Sequence, residues 1–147
     1  PHLKILNLIS NDITVSFGYA AQPSMLEELY LSNTQITNIT GIGTLGNLTV
    51  LHVADSYLAD LPSEVFSLKN LVELDISHND LKGTLPSEIG NLNNLVSLRA
   101  YGNFFSGQIP SSVGRLVRLV HLDLGKLKTL FLKVRALMAS AVTIASH

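Results

Sequence analysis

The sequence predicts an α/β-type solenoid, a right-handed coil with short parallel strands on its concave face and irregular or 3₁₀ segments on its convex face. Two observations lead to this fold class. The apolar pattern L-x-x-L-x-L, with occasional Val, Ile or Ala, begins at residues 3, 26, 48, 71, 95 and 119, so that successive starts lie 22 to 24 residues apart. In the first five copies, an Asn, Thr or Ser follows the last apolar residue by three positions.

The spacing inside each copy explains why the chain coils. Leu74 and Ile76 alternate with Asp75, so the two apolar side chains lie on one face of a short strand. One coil cannot bury that face alone, whereas stacked coils bury it together and align their strands in a parallel sheet. Each strand then turns away and leaves backbone groups without partners, which a short amide or hydroxyl can satisfy. We therefore predict a structural polar ladder of Asn11, Thr34, Ser56, Asn79 and Asn103.

The fourth and fifth coils carry a longer motif. The run K-G-T-L-P-S-E-I-G-N-L at 82–92 is echoed by S-G-Q-I-P-S-S-V-G-R-L at 106–116. Over 71–124 the chain resembles the plant-type leucine-rich repeats of receptor-like kinases and receptor-like proteins. The earlier coils fit the general leucine-rich repeat without this motif. The resemblance implies a ligand-binding ectodomain.

Both ends of the predicted array are unusual. The chain starts inside a repeat without a polar cap, so we expect a piece of a longer array. The sixth coil has Leu127 at the polar position, so we divide the chain into an array over 1–125 and an atypical tail over 126–147. Leu130, Val134 and Leu137 fall at helical spacing, which predicts an amphipathic helical tail. It would cap the last coil, remain poorly ordered, or contact a membrane or partner.

Composition excludes several classes of function. The net charge of −1 and the pI of about 6.6 show no basic excess that would favour nucleic-acid binding. The chain has no cysteine, so disulfides and thiolate metal sites are excluded. The longest apolar stretch near the C-terminus, 136–146, is too short to span a bilayer, which needs about 20 residues. We predict no membrane span in this chain.

Two N-x-T sequons are present, at Asn38 and Asn47. Both are expected on coil turns, where glycans would leave the concave strands free. The sequons favour an extracellular or cell-surface setting, and the lack of cysteine fits the cytoplasmic alternative.

The candidate binding residues are the solvent-facing side chains of the concave strands. The central position of each strand gives one column, in which His52, Asp75, Arg99 and Asp123 alternate in sign. Such a column is either a surface salt-bridge ladder or a charged recognition strip with aromatic anchors. The predicted partner-binding set is Tyr30, His52, Asp75, Arg99, Tyr101, Phe104 and Asp123.

Catalysis and metal binding are weaker interpretations. His52, Asp75 and Ser77 can be drawn as a hydrolase triad, but an open sheet offers neither a pocket nor oxyanion donors. Asp55 and His78 join His52 and Asp75 as a conceivable metal set, although such neighbours are common on polar sheets. No phosphate-binding glycine motif occurs. We predict no enzyme activity, no metal and no cofactor.

The sequence therefore predicts a protein- or peptide-binding module, as a fragment of a receptor-like ectodomain. One alternative is an intracellular scaffold or regulator that uses the same face. The other is a structural spacer without a ligand. The fold alone does not identify the ligand, because leucine-rich repeats serve many partners.

Overall fold

The computed structural model describes residues 2–14, 17, 25–125 and 143–145. Its strands in chain order are β1 (Ile5–Asn7), β2 (Glu28–Tyr30), β3 (Val50–His52), β4 (Glu73–Asp75), β5 (Lys82–Gly83), β6 (Ser97–Arg99), β7 (Phe104–Phe105), β8 (His121–Asp123) and β9 (Thr143–Ala145). Seven of them form one parallel sheet in the order β1-β2-β3-β4-β6-β8-β9, and β5 pairs with β7 separately. The predicted solenoid with a parallel sheet is confirmed.

The central leucines of the strands hold the coils in register. Leu29 lies beside Leu51, and Leu51 lies beside Leu74, in neighbouring parallel strands. Each of these side chains is almost completely buried in one continuous core that follows the sheet. Because the apolar residue recurs at the same point of every coil, stacking removes it from water on both sides.

The convex side is built from short 3₁₀ helices, as the fold class predicts. They span Ile42–Thr44, Ser63–Ser67, Ser87–Asn91 and Ser111–Arg115. The last three follow Pro62, Pro86 and Pro110, whose φ angles lie between −60 and −66°. Since the proline ring fixes φ, each of these coils enters its helix in the same way. Within the part of the chain that the structure describes, no helix is long and apolar enough to cross a membrane.

The pairing of β5 with β7 was not predicted from the sequence. Lys82 lies beside Phe104 and Gly83 beside Phe105 in this two-stranded parallel sheet. The two strands belong to the two coils with the plant-type motif and end a few residues before Pro86 and Pro110. The longer motif shared by these coils was therefore the available signal for a second sheet.

The tail differs from the prediction. The residues at helical spacing, Leu127 to Met138, lie outside the described residues. Thr143–Ala145 is a strand that pairs in parallel with His121–Asp123, so the predicted helical tail is not supported and is wrong for this stretch. The exposed edge of β8 offers unpaired backbone groups, which a further strand satisfies better than a helix. The division of the chain at Gly125 stays a prediction.

A left-handed turn precedes the polar ladder in each of the first five coils. The residue before each ladder position has φ between 50 and 70°, and these residues are Ser10, Asn33, Asp55, His78 and Gly102. At Gly102, an added Cβ would also come within 2.5 Å of His78 Nδ1. Because the other four coils place a non-glycine residue at this turn, Gly102 is needed chiefly for the approach of the neighbouring coil.

We expect Gly102→Ala to lower the free energy of unfolding by about 1–3 kcal/mol, because it adds a clash to a strained φ. Gly46→Ala is the matched control, since Gly46 has no heavy atom within 4 Å of the added Cβ and no positive φ. Urea unfolding followed by circular dichroism measures both. Equal losses in the two variants would contradict this account of Gly102.

Candidate binding face on the concave sheet

The polar ladder forms the scaffold behind the face. Asn79 is almost fully buried, and its Nδ2 donates to Val53 O at 2.6 Å and to Ile76 O at 3.2 Å. Its Oδ1 accepts from Leu58 N at 2.9 Å. Asn103 repeats the arrangement one coil later, donating to Ile76 O at 2.8 Å. One amide thus connects two adjacent coils at the ends of β4 and β6.

The earlier ladder positions make fewer bonds. The Thr34 hydroxyl donates to Leu31 O at 2.7 Å and lies 3.3 Å from Ser56 Oγ. Ser56 in turn donates to Ala54 O at 3.2 Å. Asn11 is exposed, and its amide donates to the carbonyls of its own coil. The side-chain hydrogen bonds of Asn11 therefore stay within its own coil, whereas those of Asn79 also reach the preceding coil.

The strand register defines two columns of side chains on the concave side of the sheet. The central column, defined by strand-to-strand pairing, is Asn7, Tyr30, His52, Asp75, Arg99 and Asp123. The flanking column is Ile5, Glu28, Val50, Glu73, Ser97 and His121. A buried leucine separates the two positions within each strand, so both columns lie on the side opposite the core.

A chain of contacts crosses β2, β3 and β4. The Tyr30 hydroxyl donates to Glu28 Oε2 at 2.8 Å, and its ring packs edge-on against His52 with centroids 5.1 Å apart. His52 Nε2 lies 3.4 Å from Glu73 Oε2. The hydrogen bond to Glu28, followed by burial and the charges of Glu28 and Glu73, raises the pKa of Tyr30 above its ordinary value. This part of the face is therefore negative and well packed.

The charge alternation in the central column does not become a continuous ladder. His52 contacts Glu73 rather than Asp75. Among the described residues, one ion pair lies within the central column, and it joins Arg99 Nη1 to Asp75 Oδ2 at 3.9 Å. Asp75 Oδ1 is occupied by the backbone N–H and the hydroxyl of Ser77. Arg99 keeps nearly half of its side chain exposed to solvent.

Three predicted contact residues have surroundings that the sequence did not indicate. Asp123 is only 8% exposed and accepts from Gly125 N at 3.0 Å, so it supports the turn after β8. Phe104 is 62% exposed, but it lies in β7, beyond the turn and off the concave sheet. Tyr101 follows β6 and packs edge-on against His78 at 4.8 Å. The expected cluster of Arg99, Tyr101 and Phe104 is therefore divided between the sheet and its rim.

The geometry does not assemble a catalytic triad. The Ser77 hydroxyl donates to Asp75, while His52 contacts Tyr30 and Glu73. Among the described residues, no group of three or more His, Cys, Asp or Glu side chains could hold a metal ion.

A polar edge beside the sheet was missed from the sequence. The residue before the first leucine of a coil is Asn47, Asn70, Asn94 or Arg118 in four successive coils. Asn70 donates to Gly46 O at 3.0 Å, Asn94 donates to Lys69 O at 2.8 Å, and Arg118 donates to Asn94 Oδ1 at 2.7 Å. These residues line an open groove of about 590 Å³. The recurrence of asparagine at one repeat position was the available signal.

The two sequons lie on coil turns and differ in surroundings. Asn38 is exposed, and its Oδ1 accepts from the backbone N–H and the hydroxyl of Thr40, each at 2.6 Å. Asn47 lines the edge groove, and its partner Thr49 donates to Glu27 O at 3.0 Å. Glycosylation at either position stays a prediction.

Comparison with known sequences gives partial matches. The "Leucine rich repeat" family profile matches residues 46–105. Bovine osteomodulin is 39% identical over 62 residues, which cover 41% of this chain and 15% of osteomodulin. Rat lumican is 39% identical over 67 residues, which cover 43% of this chain and 20% of lumican. The chain thus spans a fifth or less of these relatives.

Solved structures cover more of the chain. The ectodomain of the plant membrane receptor kinase GASSHO1/SCHENGEN3 from Arabidopsis thaliana, in complex with CASPARIAN STRIP INTEGRITY FACTOR 2, is 35% identical with a TM-score of 0.64, covering 68% of this chain and 12% of that one. The plant peptide hormone receptor RGFR1, in complex with RGF2, is 34% identical with a TM-score of 0.71. The similarity covers 82% of this chain and 19% of the receptor chain. An internalin (inlF) from Listeria monocytogenes, at 23% identity and a TM-score of 0.74, shares the fold over 99% of this chain and 42% of its own.

The repeat pattern, the stacked register and these similarities agree. The chain carries leucine-rich repeats, matched by the family profile over 46–105, and these repeats resemble those of plant receptor ectodomains.

Proposed function

We propose that this chain is a protein- or peptide-binding module that receives its partner on the concave sheet, as part of a receptor-like ectodomain. The observation that carries the proposal is the register of the sheet, which lines up Tyr30, His52, Asp75 and Arg99 on adjacent strands. Aromatic and arginine side chains held on rigid strands are typical of the residues that dominate binding energy. Such a face binds without catalysing a reaction.

The similar proteins support this proposal. The plant structures are complexes of receptor ectodomains with peptide ligands, such as the receptor kinase HAESA with the peptide hormone IDA and the co-receptor SERK1. These receptors place their repeats outside the cell membrane, which favours an extracellular or cell-surface setting for this chain as well. We propose no nucleic-acid partner, since the net charge is −1.

The size of the face limits the partner. Seven strands at a spacing of about 4.8 Å give a sheet roughly 30 Å long, and three-residue strands keep it narrow. A standard protein interface buries about 800 Å² on each partner, which is more than this strip alone offers. An extended peptide fits the strip, whereas a folded partner would also use the rim at Phe104 or the edge groove.

The test is selection of peptides from a random display library on the immobilised chain. We expect the selected peptides to lose affinity by about tenfold or more in the double variant Tyr30→Ala/Arg99→Ala, which removes two central side chains. Glu88→Ala, on the convex 3₁₀ helix, is the control and should bind unchanged. Isothermal titration calorimetry gives the dissociation constants.

Two other results would contradict the proposal. Selected peptides that are insensitive to the concave variant but sensitive to Glu88→Ala would place binding on the convex side. A library that yields no specific peptide would favour the structural spacer. For the intracellular alternative, a native protein without glycan on Asn38 and Asn47 that fractionates with cytosol would be the supporting result.

A further inference from the structure

Two carboxylates flank one apolar residue on the concave sheet. Glu28, Val50 and Glu73 occupy the same position of β2, β3 and β4. The backbones of the two acidic residues are therefore two strand spacings, or roughly 10 Å, apart. Val50 is half-buried between them and forms an apolar floor.

The carboxylates are held in place by their neighbours. Glu28 accepts a hydrogen bond from Tyr30, Tyr30 packs against His52, and His52 contacts Glu73. Because the hydrogen bond from Tyr30 orders Glu28 before any ligand arrives, less conformational entropy is lost there on binding. Each carboxylate retains acceptor capacity, since an ionised carboxylate accepts about four hydrogen bonds.

A second and independent feature lies next to Glu73 in the same column. Ser97 is 5% exposed, and among the described residues its hydroxyl has no hydrogen-bond partner. Its place in the register, between Glu73 and His121, directs it to the concave side. A buried hydroxyl without a partner opposes folding, and a donor supplied by a ligand would satisfy it.

We propose that this site, formed by Glu28, Val50, Glu73 and Ser97, binds an arginine side chain of the partner. The inference rests on the proposed function and names the side chain that the face selects. The five N–H donors of a guanidinium match two carboxylates and one hydroxyl acceptor. Its planar group can also pack on the Tyr30 and His52 rings, while its aliphatic stem lies on Val50.

The experiment is an NMR titration of the isotope-labelled full chain with N-acetyl-arginine methylamide. N-acetyl-citrulline methylamide is the neutral control ligand, because it has nearly the same shape without the charge. We expect saturable shifts at the amides of Glu28, Val50, Glu73 and Ser97 with the arginine compound only. Citrulline that shifts the same amides with the same affinity would overturn the inference.

Matched variants separate binding from folding. Glu28→Gln/Glu73→Gln should weaken arginine binding by about tenfold, and Glu88→Gln on the convex side should leave it unchanged. Ser97→Ala should weaken binding without lowering the urea unfolding midpoint, because the hydroxyl has no hydrogen-bond partner among the described residues. A Glu28→Gln/Glu73→Gln variant that binds arginine as tightly as the parent chain would contradict the site.

The outcome is distinguishable from that of the proposed function. If library peptides bind the concave face but contain no selected arginine, and the arginine compound does not bind, the inference fails while the binding function stands. If arginine is enriched in those peptides and its replacement by citrulline weakens binding to the parent chain but not to Glu28→Gln/Glu73→Gln, the inference is supported.

Discussion

Asn79→Ala is expected to lower the free energy of unfolding by about 3–4 kcal/mol, since it leaves several buried backbone groups without partners. The lost bonds join Asn79 to Leu58 N, Val53 O, Ile76 O and Ser77 O, which belong to two successive coils. A loss of this size is a large part of the total stability of a small domain, which is about 5–15 kcal/mol.

Asn11→Ala is the matched control, because Asn11 occupies the same repeat position in the first coil. It is exposed and bonds two carbonyls of its own coil, so water replaces the amide. We expect its removal to cost less than about 1 kcal/mol. Urea unfolding at equal protein concentration measures both variants. Similar losses at the two positions would show that burial does not determine the strength of the ladder.

The sequence predicts the fold well because the repeat leaves few alternatives. A leucine every 22 to 24 residues must meet its counterpart in the next coil, so the register of β2, β3 and β4 follows from the spacing. The tail has no such constraint. Its apolar residues also fit helical spacing, yet Thr143–Ala145 pairs with β8, because a sheet edge competes with local helix formation.

The candidate site is less predictable, since it depends on where side chains point. The alternating charges of His52 and Asp75 indicate an ion pair in the sequence, but His52 turns to Glu73 in the flanking column. Phe104 is only two residues from Gly102, where the left-handed turn takes the chain away from the sheet. The repeat spacing predicts in which column of the sheet a residue lies, whereas side-chain rotamers and turn geometry determine which residues it contacts.

Leu71→Ala is expected to cost about 3 kcal/mol, within the range of about 2–5 kcal/mol for buried leucines. Leu71 is the first leucine of the fourth coil and is completely buried in the continuous core. Because the cavity would lie between stacked coils, it weakens the contacts of coil four with both of its neighbours. Chemical denaturation gives the loss of free energy for the whole chain.

Leu3→Ala tests the same repeat position without the burial. Leu3 is 59% exposed in the first coil, so its truncation should cost less than about 1 kcal/mol. Hydrogen exchange then separates a local from a cooperative effect. In a solenoid with strong coupling between coils, Leu71→Ala should lower the protection of the β3 and β6 amides together with those of β4. Loss of protection confined to β4 would show that the coils unfold independently, and an equal loss of stability from Leu3→Ala would contradict the burial argument.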